Sequence, residues 1–453
     1  MTMWIPDLSH TSGPTYRALV DALATAIYRG ELRPGAQLPT HRLMADLLGV
    51  NVSTVTRAYR EAARRHLIGG ETGRGTYVLG HADSVNLFAL PDRDNRRLID
   101  LSVNTPAYSH QDHDLEQSLA DLQTRSETGR LLQYQSEGDW LVYRAAAAQW
   151  LSMRGLNPDP SQIVLCCGAQ HAVASALASE CSRGDNVLVE SYTYPGMHAL
   201  ARQQGLHLHT LPMDRAGVLP DALDAAFHSG LAKVAVLMPT LQNPTTISMP
   251  LARRKAIADV LRKRKGLVIE EDVYGYLPCD FLPPLAALAP EQVRYVTSLS
   301  KSVAPGLRIG FLYDATARQQ DLIDQFHTTS WLVNPLMARI ASEWIHSGIA
   351  ERRLAWQRKA LQRRNLTLAQ TLPTCSLNQP PESPHAWIEL PSGQDANVFC
   401  DKARREGLVL TPASVFATNR QLGNQYVRLC LGAASSTGEL KTALKTLCSL
   451  LKQ

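Results

Sequence analysis

Thr297-Ser298-Leu299-Ser300-Lys301-Ser302-Val303-Ala304-Pro305-Gly306-Leu307-Arg308-Ile309-Gly310 is the stretch on which the reading of this chain turns. It follows a short β-like run, Val293 to Val296, and sets one lysine among small hydroxyl residues with an arginine seven positions on. An amine nucleophile forms a Schiff base with an aldehyde. Hydroxyls and a guanidinium beside it suit a phosphate, because the planar fork of donors matches phosphate oxygens. Taken alone, Ser-x-Ser-Lys is most often a surface loop with a solvated lysine. The functional reading therefore requires the other parts of such a site, in order, elsewhere in the chain.

Working outward, apolar strand-like runs at 163–166, 186–190, 234–237, 267–270 and 293–296 alternate with helical patterns near 169–180, 197–204 and 251–264. Alternating strands and helices predict a mostly parallel sheet with helices on both faces. Ligands of such sheets bind at the carboxyl ends of strands. After the first run come Gly168, Ala169 and Gln170 at a helix start, where backbone N–H groups can hold a phosphate. After the second comes Tyr194, an aromatic face for a ring; after the third, Asn243, a donor for a phenolate oxygen. Asp272 and Tyr274 follow the fourth, and Ser298, Ser300, Lys301 and Arg308 follow the last. A carboxylate facing a pyridine nitrogen keeps it protonated, and a tyrosine can share the phenolate oxygen. Each piece has an ordinary structural account, as a helix start, a turn or a chance pair. Together, each after a strand, they are the parts that pyridoxal phosphate (PLP) requires, a pyridine aldehyde carrying a phosphate.

From Leu98 to the C-terminus the chain resembles the fold-type I PLP proteins, the aspartate aminotransferase superfamily. The resemblance implies Lys301 as the Schiff-base lysine, Asp272 on the pyridine nitrogen, and Tyr274 and Asn243 on the 3′ oxygen. It also implies Tyr194 stacked on the ring, with Ser298, Ser300, Arg308 and the Gly168-Ala169-Gln170 turn on the phosphate. Tyr134, in Leu132-Gln133-Tyr134, matches a tyrosine that reaches the phosphate of the partner subunit. Thr246 departs from the family, which usually has glycine there.

A long helical pattern from about Pro335 to Leu372 carries Arg352, Arg353, Arg358, Arg363 and Arg364, read as a solvated basic face. Beyond Pro373, strands near 385–390, 408–410 and 426–431 and helices near 396–406 and 437–451 predict a small α+β domain, which begins at about 335. Arg428 lies inside the apolar run Tyr426-Val427-Arg428-Leu429-Cys430-Leu431. A buried guanidinium needs a partner, by default an internal carboxylate and otherwise a ligand's. Tyr-Val-Arg-Leu resembles the superfamily's substrate-carboxylate arginine, which implies the ligand.

Residues 14–29 read as an amphipathic helix. Thr40 is placed to cap a short helix from His41 to Leu48, and Asn51 to cap a third that runs to about Arg65. Glycine-rich 68–78 reads as a hairpin. Residues 1–80 hold nine arginines and no lysine against six acids. On the third helix Val55, Tyr59 and Ala62 form the inward stripe, which leaves Asn51, Ser53, Thr54, Arg57 and Arg60 outside. Hydroxyls, an amide and arginines at a helix N-terminus can bond phosphates and base edges. Leu38-Pro39-Thr40-His41-Arg42, Leu47-Leu48-Gly49-Val50, Thr54-Val55-x-Arg57-Ala58-Tyr59 and Gly73-Arg74-Gly75-Thr76-Tyr77-Val78 resemble the winged helix of the GntR family. Arg42, Arg57 and Arg74 match that family's basic positions. Asn51-Val52 replaces its usual Ser-Arg.

The sequence therefore predicts a winged helix-turn-helix (α+β) over 1–79, a linker over 80–97 and an aminotransferase-like PLP-binding unit over 98–453. A GntR-type winged helix joined to such a unit resembles the MocR (GabR-type) transcriptional regulators. That implies operator DNA as partner, a head-to-tail homodimer, and PLP as a fixed group through which an amino acid or related amino compound is sensed. The alternative is an active PLP-dependent aminotransferase that carries a DNA-binding domain. The bulk composition, 45% hydrophobic and 19% charged, is that of a soluble globular chain. Its net charge of +5 is little evidence by itself for a polyanionic partner. No secretion signal, membrane span or metal-ligand spacing is evident, and the eight cysteines are read as reduced thiols of a cytoplasmic protein.

Overall fold

A computed structural model describes residues 4–6, 15–28, 31–32, 35–64, 67–71, 75–78, 98–107, 113–124, 128–316, 324, 328–373, 379–419 and 422–452. The chain divides into two compact units, Met1–Asp92 and Arg93–Gln453. The linker expected over 80–97 lies outside the described residues.

The first unit is three helices, α1 (Thr15–Tyr28), α2 (His41–Leu48) and α3 (Val52–Arg64), with a small antiparallel sheet from Gln37–Leu38, Ile68–Glu71 and Gly75–Val78. The turn between α2 and α3 has a local cause at each end. The Thr40 side chain accepts from the Leu43 N–H, and Gly49 stops α2 in the left-handed region (φ 63°). Asn51 Oδ1 then accepts from the Ser53 N–H at 2.9 Å and caps α3. Leu19, Val20 and Leu23 of α1 pack with Val55, Tyr59 and Ala62 of α3 in one apolar core. The Tyr59 hydroxyl is satisfied by the Pro39 carbonyl at 2.9 Å.

The second unit is built on a seven-stranded sheet: β1 (Ile163–Cys166), β2 (Asn186–Glu190), β3 (His207–Leu211), β4 (Val234–Leu237), β5 (Leu267–Glu271), β6 (Val293–Ser298) and β7 (Gly310–Asp314). Their spatial order is β1-β7-β6-β5-β4-β2-β3. All neighbours are parallel except β7, which runs antiparallel to both β6 and β1. Strands covered on both faces bury nearly every side chain, so they read as continuous apolar runs rather than alternations; β1, β4, β6 and β7 are buried throughout. The polar exceptions are paired, as with Arg294, which bonds Asp314 at 2.9 Å across β6 and β7 and Glu180 at 3.1 Å.

Two expectations near the C-terminus change. The single long helix is two, α4 (Pro335–His346) and α5 (Ile349–Thr371), because Gly348 adopts a left-handed φ of 78° and Asn334 caps the first. Its arginines are not one solvated face. Arg358 donates to the Tyr276 carbonyl at 2.7 Å, Arg364 to Leu431 and Ala434 carbonyls, and Arg352 and Arg353 to Asp114 at 2.7 and 2.8 Å. Orphan carbonyls at the ends of other segments thus use cations that periodicity alone assigns to water. The small domain adds the antiparallel strands β8 (His385–Glu389), β9 (Thr411–Pro412) and β10 (Tyr426–Cys430) over a core of its own. No helix among the described residues is long and apolar enough to cross a membrane. None of their His, Cys, Asp and Glu form a group able to hold a metal.

Candidate functional site

The carboxyl ends of β1, β2, β4, β5 and β6 point to one edge of the sheet, and the strand-end residues gather there. Lys301 is half-buried just past β6 and donates to the Asn104 carbonyl. Desolvation lowers its amine to about 8, so near neutrality it holds an appreciable neutral, nucleophilic fraction.

A close-packed cradle lies on one side of Lys301. Gly168 opens the helix Ala169–Glu180 at φ 90°. A Cβ there would come within 2.5 Å of the Arg308 guanidinium, and one on Gly310 within 2.6 Å of the Gly168 carbonyl carbon. Arg308 is held in the left-handed region (φ 52°) and donates to the Cys167 carbonyl at 3.1 Å and Ser300 Oγ at 3.4 Å. Ser298 Oγ accepts from the Ser300 N–H at 3.4 Å. Helix-start N–H groups, hydroxyls and an exposed guanidinium around two glycines suit an anion. The Gln170 side chain donates to the Gly196 carbonyl at 3.1 Å and so braces the turn that carries Tyr194.

On the other side, Tyr194 is half-buried and its phenol is pushed up to about 12 by desolvation. Asn243 is buried, and its Oδ1 accepts from Arg428 Nη1 at 2.9 Å. A guanidinium can only donate, so the amide is oriented with Nδ2 left to donate. Gln242 holds this loop through Glu190 Oε2 (3.0 Å) and the Tyr192 carbonyl (2.6 Å). Buried Arg254 holds it through the Pro239 carbonyl (3.0 Å) and Thr240 Oγ1 (2.9 Å). Arg428 also donates to the Ser102 carbonyl and lies 4.7 Å over the Phe416 ring. Its Nε has no partner, and no carboxylate pairs with Arg428 among the described residues. A buried guanidinium without an anion is costly unless one arrives.

Asp272 is placed otherwise than expected. Its Oδ2 accepts from Arg154 Nε at 2.9 Å and from the Tyr295 hydroxyl at 2.8 Å, and the carboxylate tucks beneath Gly275, where a Cβ would clash at 2.1 Å. Glu270, two residues back, turns to the same side and accepts the Leu285 and Ala286 N–H groups, both at 2.9 Å. Side chains alternate along a strand, so Glu271 faces the other way. Its charge is the one felt at Lys301, Tyr194 and Tyr274, whereas that of Asp272 is felt at Arg154, Tyr276 and Tyr295. Burial raises the Glu271 carboxyl to about 7, with Lys301 opposing the rise. The carboxylate on the lysine side of the sheet is therefore Glu271. Three consecutive acids at a strand end carried the signal, because neighbours on a strand cannot share a face.

The sequence reading also passed over Asn104 and His385. Asn104 Nδ2 lies 2.8 Å from the Tyr274 hydroxyl and 3.2 Å from His385 Nδ1. His385 is fully buried at the start of β8, and burial lowers its imidazole to about 3. Neither had a motif around it. Tyr134 is 84% exposed in the single chain and touches none of these groups.

In the first unit Arg42, Asn51, Ser53, Arg57 and Arg60 are exposed and Thr54 is half-buried. The Arg57 guanidinium lies 4.1 Å over the Tyr16 ring, a cation–π contact that holds it at the surface of α3. The Ser53 hydroxyl is occupied by Asn51 Oδ1 at 3.0 Å. Arg74 lies outside the described residues.

Fold and site together define a PLP-binding unit of aminotransferase type joined to a winged helix-turn-helix. Residues 96–447 match the family model "Aminotransferase class I and II" and residues 15–78 that of "Bacterial regulatory proteins, gntR family". The chain belongs to the aminotransferase class I and II family, in the MocR arrangement with a GntR-type domain at its N-terminus. It is 29% identical over 448 residues to the HTH-type transcriptional regulator YdeF of Bacillus subtilis, which covers 99% of this chain and 96% of YdeF. It is 27% identical over 393 residues to the vitamin B6 salvage pathway transcriptional repressor PtsJ of Salmonella typhimurium, covering 85% and 88%. Among solved structures, LysN, the α-aminoadipate aminotransferase of Thermus thermophilus, superposes with a TM-score of 0.71 at 25% identity, covering 82% of this chain and 96% of LysN.

Proposed function

We infer that this protein is a PLP-dependent, DNA-binding transcription regulator whose aminotransferase-like unit senses an amino acid or related amino compound. One observation carries the reading: a half-buried lysine lowered to about 8 sits between an anion cradle and a buried arginine without a carboxylate, in a chain with a winged helix. PLP fits the residues present. Lys301 attaches it; the Gly168-Ala169 helix start, Ser298, Ser300 and Arg308 hold the phosphate; Tyr194 lies on the ring; and Asn243 and Tyr274 donate to the 3′ oxygen. We assign Glu271, in place of Asp272, to the pyridine nitrogen. When bound, PLP supplies an electrophilic carbon and an electron sink.

The effector on this reading carries an amino group for the cofactor and an acid group for Arg428, which offers its free Nε and the remaining hydrogens of its terminal nitrogens. Tyr134 completes the phosphate site of the partner subunit in a head-to-tail homodimer, which accounts for a tyrosine 84% exposed in one chain. Operator DNA lies against Arg42, Asn51, Ser53, Thr54, Arg57 and Arg74, and the protein works in the cytoplasm. The purified protein is expected to be yellow and to lose its visible band on borohydride treatment, with Lys301→Ala colourless. A band that persists in Lys301→Ala overturns the assignment.

A further inference from the structure

Tyr274 can reach a cofactor oxygen in either sense, as donor or as acceptor, and a chain of three polar groups decides which. The chain starts at the Gln242 carbonyl, which can only accept. His385 Nε2 lies 3.2 Å from it, so that nitrogen carries the hydrogen. Burial keeps the imidazole neutral, with an ordinary protonation range brought down to about 3. A neutral ring with a hydrogen on Nε2 has a bare lone pair on Nδ1. The Asn104 side-chain atom 3.2 Å from Nδ1 must therefore be the amide nitrogen, not the oxygen. The second hydrogen of that nitrogen points at the Tyr274 oxygen, 2.8 Å away. The phenol thus accepts from Asn104, and its own hydrogen is turned elsewhere. Burial raises the Tyr274 phenol far above its ordinary range, so it stays protonated and remains a donor. His385 also packs its ring 5.7 Å from that of Tyr274, which holds both in register.

We propose that Asn104 and His385 are positioning residues that fix Tyr274 as a hydrogen-bond donor toward the 3′ oxygen of the cofactor; this rests on the assignment of PLP to Lys301. The His385 ring and the Asn104 side-chain amide touch Tyr274 and each other, not the reacting atoms. They act through Tyr274, as Arg428 acts through Asn243, so both donors to one oxygen are oriented before the cofactor arrives. Asn104 joins the two sides of the site, because its carbonyl also accepts from Lys301 Nζ. Preorganised donors of this kind act without reorganisation when charge develops, and a donated hydrogen bond strengthens the next one along the chain.

The readout is the pH at which the visible band of the loaded protein titrates. A stronger bond to the 3′ oxygen anion draws its charge away from the proton shared with the Lys301 linkage, so that proton leaves at lower pH. Without the Asn104 amide the midpoint is expected to rise by about half to one unit, the worth of one neutral hydrogen bond. Asn104→Ala should show this rise, and His385→Ala a smaller rise in the same direction. If His385 acts through Asn104, its effect vanishes in the Asn104→Ala background. Additive shifts, or no shift in Asn104→Ala, overturn the proposal.

A wild-type measurement stands beside the variants should they fold poorly. Nitrogen NMR of the histidine side chains should find His385 as the Nε2–H tautomer, with no titration between pH 5 and 8. The opposite tautomer or a charged ring also overturns it. Borohydride trapping of the cofactor at Lys301 separates the two layers. If trapping fails in the wild type, the PLP assignment falls; if trapping succeeds and the midpoints do not move, only the role of Asn104 and His385 falls.

Discussion

Exchanging one acid for its amide at each of two adjacent positions separates the two carboxylates at the end of β5. Asp272→Asn removes the charge from a fully buried carboxylate that pairs with Arg154 at 2.9 Å. The guanidinium is then left uncompensated where both partners were buried, which costs about 3–5 kcal/mol. Glu271→Gln acts in the opposite direction. Burial raises the Glu271 carboxyl from 4.5 to about 7 in the folded chain. The folded state thus binds that proton more tightly than the unfolded state does. Its stability falls as pH rises from the unfolded value through about 7, and the deficit is complete above that. The shift corresponds to about 3 kcal/mol, and partial solvent screening brings this to about 1–3 kcal/mol. Glutamine removes that deficit. In urea denaturation of the cofactor-free protein at pH 8, Asp272→Asn should be markedly less stable than wild type and Glu271→Gln slightly more stable. The Glu271→Gln gain should fade toward pH 5. The spectra should divide the other way, with Glu271→Gln altering the visible band of the loaded protein and any Asp272→Asn that folds retaining it. If Asp272→Asn is stable and changes the band while Glu271→Gln leaves it untouched, the pyridine nitrogen faces Asp272 and the assignment made from strand alternation is wrong.

Two further outcomes follow from the same geometry. Arg428→Lys is expected to keep the cofactor spectrum but lose at least about tenfold in response to an acidic amino compound, followed by absorbance, because lysine cannot offer two parallel donors to one carboxylate; an unchanged response makes Arg428 a purely structural partner of Asn243. Arg57→Ala should weaken operator binding by about 1–3 kcal/mol if the side chain reads a base, or lower the salt dependence by about one counterion if it meets a phosphate; fluorescence anisotropy across a salt series distinguishes these, and no change in either removes Arg57 from the interface.

Much of the fold was legible because its strands are buried on both faces. Ile163–Cys166 and Val234–Leu237 are apolar without interruption, and ligand-facing residues follow them in sequence. The antiparallel strand Gly310–Asp314 was not read, since it begins only three residues after the 3-10 turn Pro305–Leu307 and looks like the tail of the lysine motif. The helix-turn-helix was legible through its punctuation, Thr40, Gly49 and Asn51, each of which performs the capping its side chain or φ allows. The candidate site was less so. Lys301, Arg308, Asn243 and Arg428 sit in strings that name their neighbours. Asn104 and His385 meet Tyr274 across 170 and 111 residues of chain, and no local pattern records such a meeting. Asp272 shows the opposite failure. The sequence reads a carboxylate after a strand, but which of the adjacent acids lies on the lysine side depends on which face of β5 carries Arg154, and that is set by the packing of Glu137–Ser152 and the turn after it.

DNA affinity measured while the cofactor site is occupied tests the central claim most directly. Fluorescence anisotropy on the chain's own upstream DNA, with PLP-loaded wild type and Lys301→Ala side by side and a panel of amino acids added, reads both units at once. The account predicts that at least one acidic amino compound shifts the affinity of the wild type and leaves that of Lys301→Ala unmoved, with DNA in turn shifting the affinity for that compound by the same factor. Wild type and Lys301→Ala that bind DNA equally and respond alike to every compound would contradict it.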